Sequence, residues 1–138
     1  MWTPQNSWKM ENQVYNWLVK KGNIQIQKNE DCISLQLDYE NGENCLLTHS
    51  DTDEIIDILI NISKQIWEDP NYQRKPYTNQ LFKQIDNEYS WETETSQILI
   101  KFNEMEDAIE IKYTGNSSMN LEINYVVEMI QILEKLIQ

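Results

Sequence analysis

Residues 1–64 can be laid on residues 75–138 without a gap, at a constant offset of 74, and thirteen of the positions are then identical. Ordinary residue frequencies give about four such matches by chance. The shared residues include Lys9 and Lys83, Tyr15 and Tyr89, Trp17 and Trp91, and the turn pair Asn29-Glu30 with Asn103-Glu104. Toward the end they include Tyr39 and Tyr113, Leu47 and Leu121, and Glu54 and Glu128. Hydrophobic patterning alone does not repeat Trp, Tyr and Asn-Glu. The sequence therefore reads as one unit written twice, 1–67 and 75–138, joined by a linker at 68–74 that overlaps the Pro70–Pro76 stretch.

Each copy can be read with the other as a check. Ile24 and Ile26 alternate with polar neighbours, as do Ile33, Leu35, Leu37 and Tyr39 after the Asn29-Glu30 turn. Period-two alternation of this kind marks half-buried antiparallel strands. Tyr15, Trp17 and Val19 align with Tyr89, Trp91 and Thr93. The second segment, Trp91-Glu-Thr-Glu-Thr, is a poor helix former, so both segments read as strands. Residues 7–11 and 81–85 are candidates for a further strand in each copy. A turn ending in Gly42 predicts a hairpin pairing Leu37 with Cys45 and Leu35 with Leu47, and Thr114-Gly115-Asn116 is its counterpart. That register separates Cys32 from Cys45 by about five residues at ~3.3 Å each, which predicts two plain thiols with Cys45 in the core.

Both copies end in a helix. Ile55, Ile58, Leu59, Ile62 and Ile66 form one apolar stripe, as do Met129, Ile130, Ile132, Leu133, Leu136 and Ile137. Helices are expected at 50–67 and 124–137, with Ser50 and Asn124 as N-caps and Asp53 closing a capping box. The fold class is α+β: an antiparallel sheet-plus-helix unit, about ββββα, occurring twice about a pseudo-twofold axis. In topology this resembles the PUR-repeat and whirly-type folds. The resemblance implies two units packed together and a nucleic-acid-binding role. Charge opposes that role, because 11 Lys and Arg against 23 Asp and Glu leave -12, with both halves acidic, and a phosphate backbone repels such a surface.

Chemistry is sparse. His49 is the single histidine; it is followed by Ser50 and Asp51, but consecutive positions and the absence of a Gly-rich elbow argue against a catalytic triad. Two cysteines without Cys-x-x-Cys spacing cannot build a structural zinc site. Three scattered glycines make no phosphate loop. Asp51-Thr52-Asp53-Glu54 lacks the rest of a calcium loop and suits a helix start instead. The expectation is a non-enzyme without metal or cofactor. No basic and apolar leader and no membrane span are present in the sequence, so a cytoplasmic location is expected.

Surface candidates come from positions where the copies differ. Leu18, Leu46 and Ile60 align with Glu92, Asn120 and Glu134, and Trp67 lies beyond the aligned region. Such asymmetry serves either packing between halves or an exposed patch, with Leu18 and Leu46 expected on the outward sheet face. Asp38, Glu40, Glu43, Asp51, Asp53 and Asp57 align with neutral residues or lysine, so the fold does not demand their acidity; they are either a solvated face or a steering patch. These ten residues are the candidate partner-binding set. The expected partner is a basic protein rather than nucleic acid or membrane. The leading function is a small bacterial inhibitor, an immunity protein or antitoxin against a nuclease toxin. A close variant is a phage-encoded inhibitor of a nucleic-acid-guided defence complex. The alternatives are a structural or regulatory homodimer joined through its outer sheet and, third, a PUR-like nucleic-acid binder.

Overall fold

A computed structural model of the chain describes residues 14–38, 44–77, 79–115 and 119–138. The fold is α+β, with two antiparallel sheets and two helices. The elements run β1 (Val14–Leu18), β2 (Asn23–Asn29), β3 (Cys32–Asp38), β4 (Asn44–Leu47), α1 (His49–Glu68), β5 (Lys83–Ile85), β6 (Glu88–Glu92), β7 (Ser96–Asn103), β8 (Ala108–Gly115), β9 (Met119–Glu122) and α2 (Ile123–Leu136). The candidate strand at 7–11 lies outside the described residues, whereas 81–85 contributes β5.

Strand order departs from the sequence expectation. One sheet is β1-β2-β3-β9 and the other is β4-β8-β7-β6-β5. β4 does not fold back on β3. Leu37 faces Ile24, and Leu35 lies between Ile26 and Met119, while Cys45 faces Ile111 and Leu47 faces Ile109. The two chain halves thus exchange their last strands. Alternation along a strand fixes which face is apolar and says nothing about which neighbour supplies the next apolar row, so the hairpin reading chose the wrong partner. The turn residues Glu40, Asn41 and Gly42 lie outside the described residues, as does Asn116. Gly115 takes the left-handed conformation, with φ of 112°, and a Cβ there would stand 2.2 Å from the Thr95 carbonyl oxygen.

The exchange produces one core. Inner rows Tyr15–Ile26–Leu35–Met119 and Trp17–Ile24–Leu37 line the first sheet; Tyr89–Ile100–Ile111–Cys45 and Phe102–Ile109–Leu47 line the second. Ile55, Ile58, Leu59, Ile62 and Ile66 of α1, with Val126, Met129, Ile132 and Leu133 of α2, join the same cluster. Cys32 and Cys45 are free thiols in different sheets. Their separation follows from that placement and not from the hairpin register.

Both helices begin one residue earlier than their apolar stripes suggest, and the caps differ from expectation. Thr48, not Ser50, caps α1. Its Oγ1 accepts from Asp51 N at 3.0 Å, and the Asp51 carboxylate accepts from Thr48 N at 3.0 Å. The capping box is closed by Asp51 rather than Asp53. Thr48-His-Ser-Asp51 carries the required spacing, and Thr48 wins because it sits where the chain leaves β4. Glu122, not Asn124, occupies the N-cap of α2 and makes no side-chain cap bond; Asn124 instead donates to the Lys75 carbonyl at 3.2 Å.

The second half has a polar keystone that periodicity conceals. Glu128, 3% exposed, accepts from Leu81 N at 2.9 Å, Phe82 N at 3.0 Å, Trp91 Nε1 at 3.1 Å and the Tyr77 hydroxyl. Its two oxygens therefore stitch the segment before β5 to α2 and β6. Glu54, at the aligned position of α1, is exposed. Glu128→Ala strands buried donors and is expected to cost about 3–5 kcal/mol in urea unfolding, whereas Glu54→Ala stays within about 0.5 kcal/mol.

Candidate functional site

Asp51 ties the start of α1 to the link following β1, accepting from Lys20 N at 3.1 Å. Lys20 in turn donates through Nζ to the Glu106 carbonyl at 2.7 Å and lies 3.5 Å from the Glu106 carboxylate. The β7–β8 turn that carries Glu106 closes through Asp107 in the left-handed region, with φ of 51°, a conformation Asp tolerates better than most residues. The link following β1, the α1 N-terminus and the β7–β8 turn are thereby held around one opening.

That opening is a groove of about 750 Å³, within the range of ~300–1,000 Å³ typical of ligand sites. It lies at one end of the second sheet's inner face. Leu47, Phe102, Ala108 and Ile109 contribute from the strands, and Leu136 and Ile137 from the end of α2. Lys20, His49, Glu106 and Asp107 supply its charged or titratable rim. Phe102 is 37% exposed although its inner-row neighbours Ile109 and Leu47 are buried, because the row reaches the groove there. A second cavity, about 170 Å³, lies beside the Lys75–Glu122 ion pair and Tyr72 and is too small for a drug-sized ligand.

The sequence candidates separate into distinct environments. Asp53 and Asp57 are exposed on the solvent side of α1, next to Glu54, with Asp53 3.5 Å from His49 Nδ1 across one helical turn. Asp38 is exposed at the end of β3. Asp51 is half-buried and committed to the capping box. Trp67 is 43% exposed, with the Arg74 guanidinium 5.1 Å from its ring, while Ile60 is half-buried against the core. Leu46, expected on an outward face, is only 6% exposed; it pairs with Glu110 and with the isolated bridge at Lys21. The chain itself covers it. Leu18 ends β1, paired with Asn23, and Glu40 and Glu43 lie outside the described residues. Asp53 thus reaches, through His49, the rim of a groove whose Phe102, Glu106 and Asp107 lie outside the sequence candidates, while Asp57 lies one helical turn further along α1. Phe102 replacing Lys28 at the aligned position was the available signal.

Burial pushes both thiols up, to about 11, with Asp31 reinforcing the effect at Cys32 and Asp38 at Cys45. Among the described residues, no group of three or more His, Cys, Asp or Glu side chains could hold a metal ion. None of the described helices is long and apolar enough to cross a membrane. No protein-family model matches the sequence, and no curated protein matches it.

The thiol shifts give a signed expectation. A folded-state pKa above the ordinary value near 9 means that the neutral-thiol contribution is complete below about pH 9 and is lost as pH rises to about 11. A Cys32→Ser/Cys45→Ala double variant should therefore lose less stability than wild type across that window in parallel urea titrations. At pH 7.5 a chromogenic disulfide reagent should react with the native thiols on the order of 10-fold more slowly than with the urea-unfolded chain, because the smaller thiolate fraction is partly offset by the greater nucleophilicity of a more basic thiolate.

Proposed function

We propose that this chain is a non-catalytic inhibitor that binds and neutralises a basic protein, acting as an immunity protein or antitoxin against a nuclease toxin. Inhibition of a nucleic-acid-guided defence complex is the close variant, since both targets present a cationic cleft. The observation that carries the reading is the acidic solvent face of α1, with Asp53, Glu54 and Asp57 exposed, beginning at the rim of an apolar-floored groove. Long-range attraction from a protein of net charge -12 accelerates encounter with a cationic cleft, and apolar burial slows release. Direct binding of nucleic acid has no comparable electrostatic support.

The same proposal includes duplication of one ββββα unit. Its support lies in where the elements begin: β1 and β6 at Val14 and Glu88, β4 and β9 at Asn44 and Met119, α1 and α2 at His49 and Ile123. These starts keep close to the offset of 74 at which the thirteen identities fall. In this reading one copy kept its helix surface acidic for a partner, while the aligned residues of the other became Val127, Glu128 and Gln131, with Glu128 turned to a structural task.

The test is a triple reversal, Asp53→Lys/Glu54→Lys/Asp57→Lys, which leaves Asp51 and its cap intact. A basic protein captured by the wild-type chain from the cell of origin should associate with the variant about 10- to 100-fold more slowly at low salt, and with a flattened salt dependence. The circular dichroism spectrum should be unchanged. Equal association rates would remove α1 as the docking face, and failure of the wild type to retain any basic protein would remove the inhibitor reading itself.

A further inference from the structure

The outer face of the first sheet has a composition unlike the rest of the surface. Its cross-strand rows are Asn16–Gln25–Gln36 and Val14–Gln27–Ser34–Asn120, flanked by Asn23 beside Asp38. Six of these residues carry side-chain amides. All of these residues are half-buried or exposed. One acid, Asp38, stands at a corner of the patch. The next row of the same face, Asn29–Cys32–Glu122, brings a second acid, Glu122, paired with Lys75, and Asn29 donates to Asn120 at 3.3 Å. The corresponding face of the second sheet is charged, with Lys83, Lys101, Lys112 and Glu92. In a chain of net charge -12, a four-stranded face whose two central rows carry no charge is an electrostatic exception.

We infer that this amide-lined face of β1, β2, β3 and β9 is a self-association surface, and that its occupant is the same face of a second copy. Two copies at -12 repel one another wherever their acids meet, so they approach at least cost through this face, whose acids are Asp38 at one corner and Glu122, paired with Lys75, at the other. Each carboxamide both donates and accepts, which makes the surface complementary to itself under a twofold operation, as an isologous interface requires. Basic or acidic partners gain nothing from it in steering. The helices pack on the other side of the sheet, so pairing two copies in this way leaves the α1 acids open.

Area sets the strength. Four strands spaced ~4.8 Å apart and three rows deep bury on the order of 500 Å² per copy. A tight interface takes about 800 Å² per partner. The dimer is therefore reversible, forming in the micromolar to submillimolar range. It strengthens as salt rises, because salt screens the overall repulsion while neutral hydrogen bonds lose little. An ion-paired dimer has the opposite salt dependence.

Sedimentation velocity of the full chain from about 5 µM to about 1 mM, at 50 and 500 mM salt, tests this directly. Wild type should move from monomer to dimer with concentration, and at lower concentration in the higher salt. Gln25→Glu/Gln36→Glu and Gln25→Lys/Gln36→Lys should each remain monomeric when alone, and an equimolar mixture of the two should recover the dimer. If either pair loses its native circular dichroism, Asn16→Glu and Asn16→Lys, at the exposed end of the same row, take their place. A wild type that stays monomeric throughout overturns the inference, as does a dimer that the like-charged variants form equally well.

Discussion

The reciprocal transfer of one strand between sheets is the constraint on which the rest of the molecule depends. β4 extends the sheet of β5 to β8, and β9 extends the sheet of β1 to β3. Were β4 and β9 to stay with their own sequence neighbours, each sheet would close on itself and the two could meet only through their helices. With the transfer, Cys45 and Leu47 complete the apolar rows of Ile111 and Ile109, and Met119 and Leu121 complete those of Leu35 and Ile33. One hydrophobic cluster then holds both helices and both sheets, which gives a 138-residue chain a single large interior in place of two small ones.

This arrangement also sorts the surface. Because β4 leads directly into α1, Thr48 sits at the junction and its capping box with Asp51 places the first helical turn beside Lys20 and the β7–β8 turn. The acidic helix face and the groove are consequences of that junction. On the opposite side of the first sheet none of the described helices packs, and the central rows there carry amides instead of charges. Charge is thus partitioned by architecture, with acids on α1 and amides on the outer face of the first sheet.

Local structure was legible in the sequence to the extent that it depends on neighbours along the chain. Alternation located Ile24, Ile26, Leu35 and Leu37 on one face, and the isoleucine stripe located α1 to within a residue at each end. Pairing between β3 and β9 was not legible, since an alternating strand fits any apolar edge of matching twist. Thr48 and Ser50 are both competent caps, and only the exit from β4 decides between them. Glu128 could not be distinguished from Glu54 by position on a helix, because its partners are main-chain N–H groups of Leu81 and Phe82, which sequence does not mark. The groove was invisible for a related reason: it is assembled from Lys20, the 47–50 turn, the β7–β8 region and the end of α2.

The strand transfer also imposes a schedule on synthesis. β9 meets β3 at Cys32 with Glu122 and Leu35 with Met119, positions 84 to 90 residues apart. A growing chain that has delivered β1 to β4 and α1 therefore holds an unfinished sheet edge and a helix whose isoleucines have half of their final surroundings. The first sheet cannot close until β9 has left the ribosome, so its consolidation is late and governed by long loop closure. An exposed strand edge during that interval invites pairing with other nascent chains. The strong negative charge carried by the first half, 12 acids against 5 bases, keeps such chains apart while they wait.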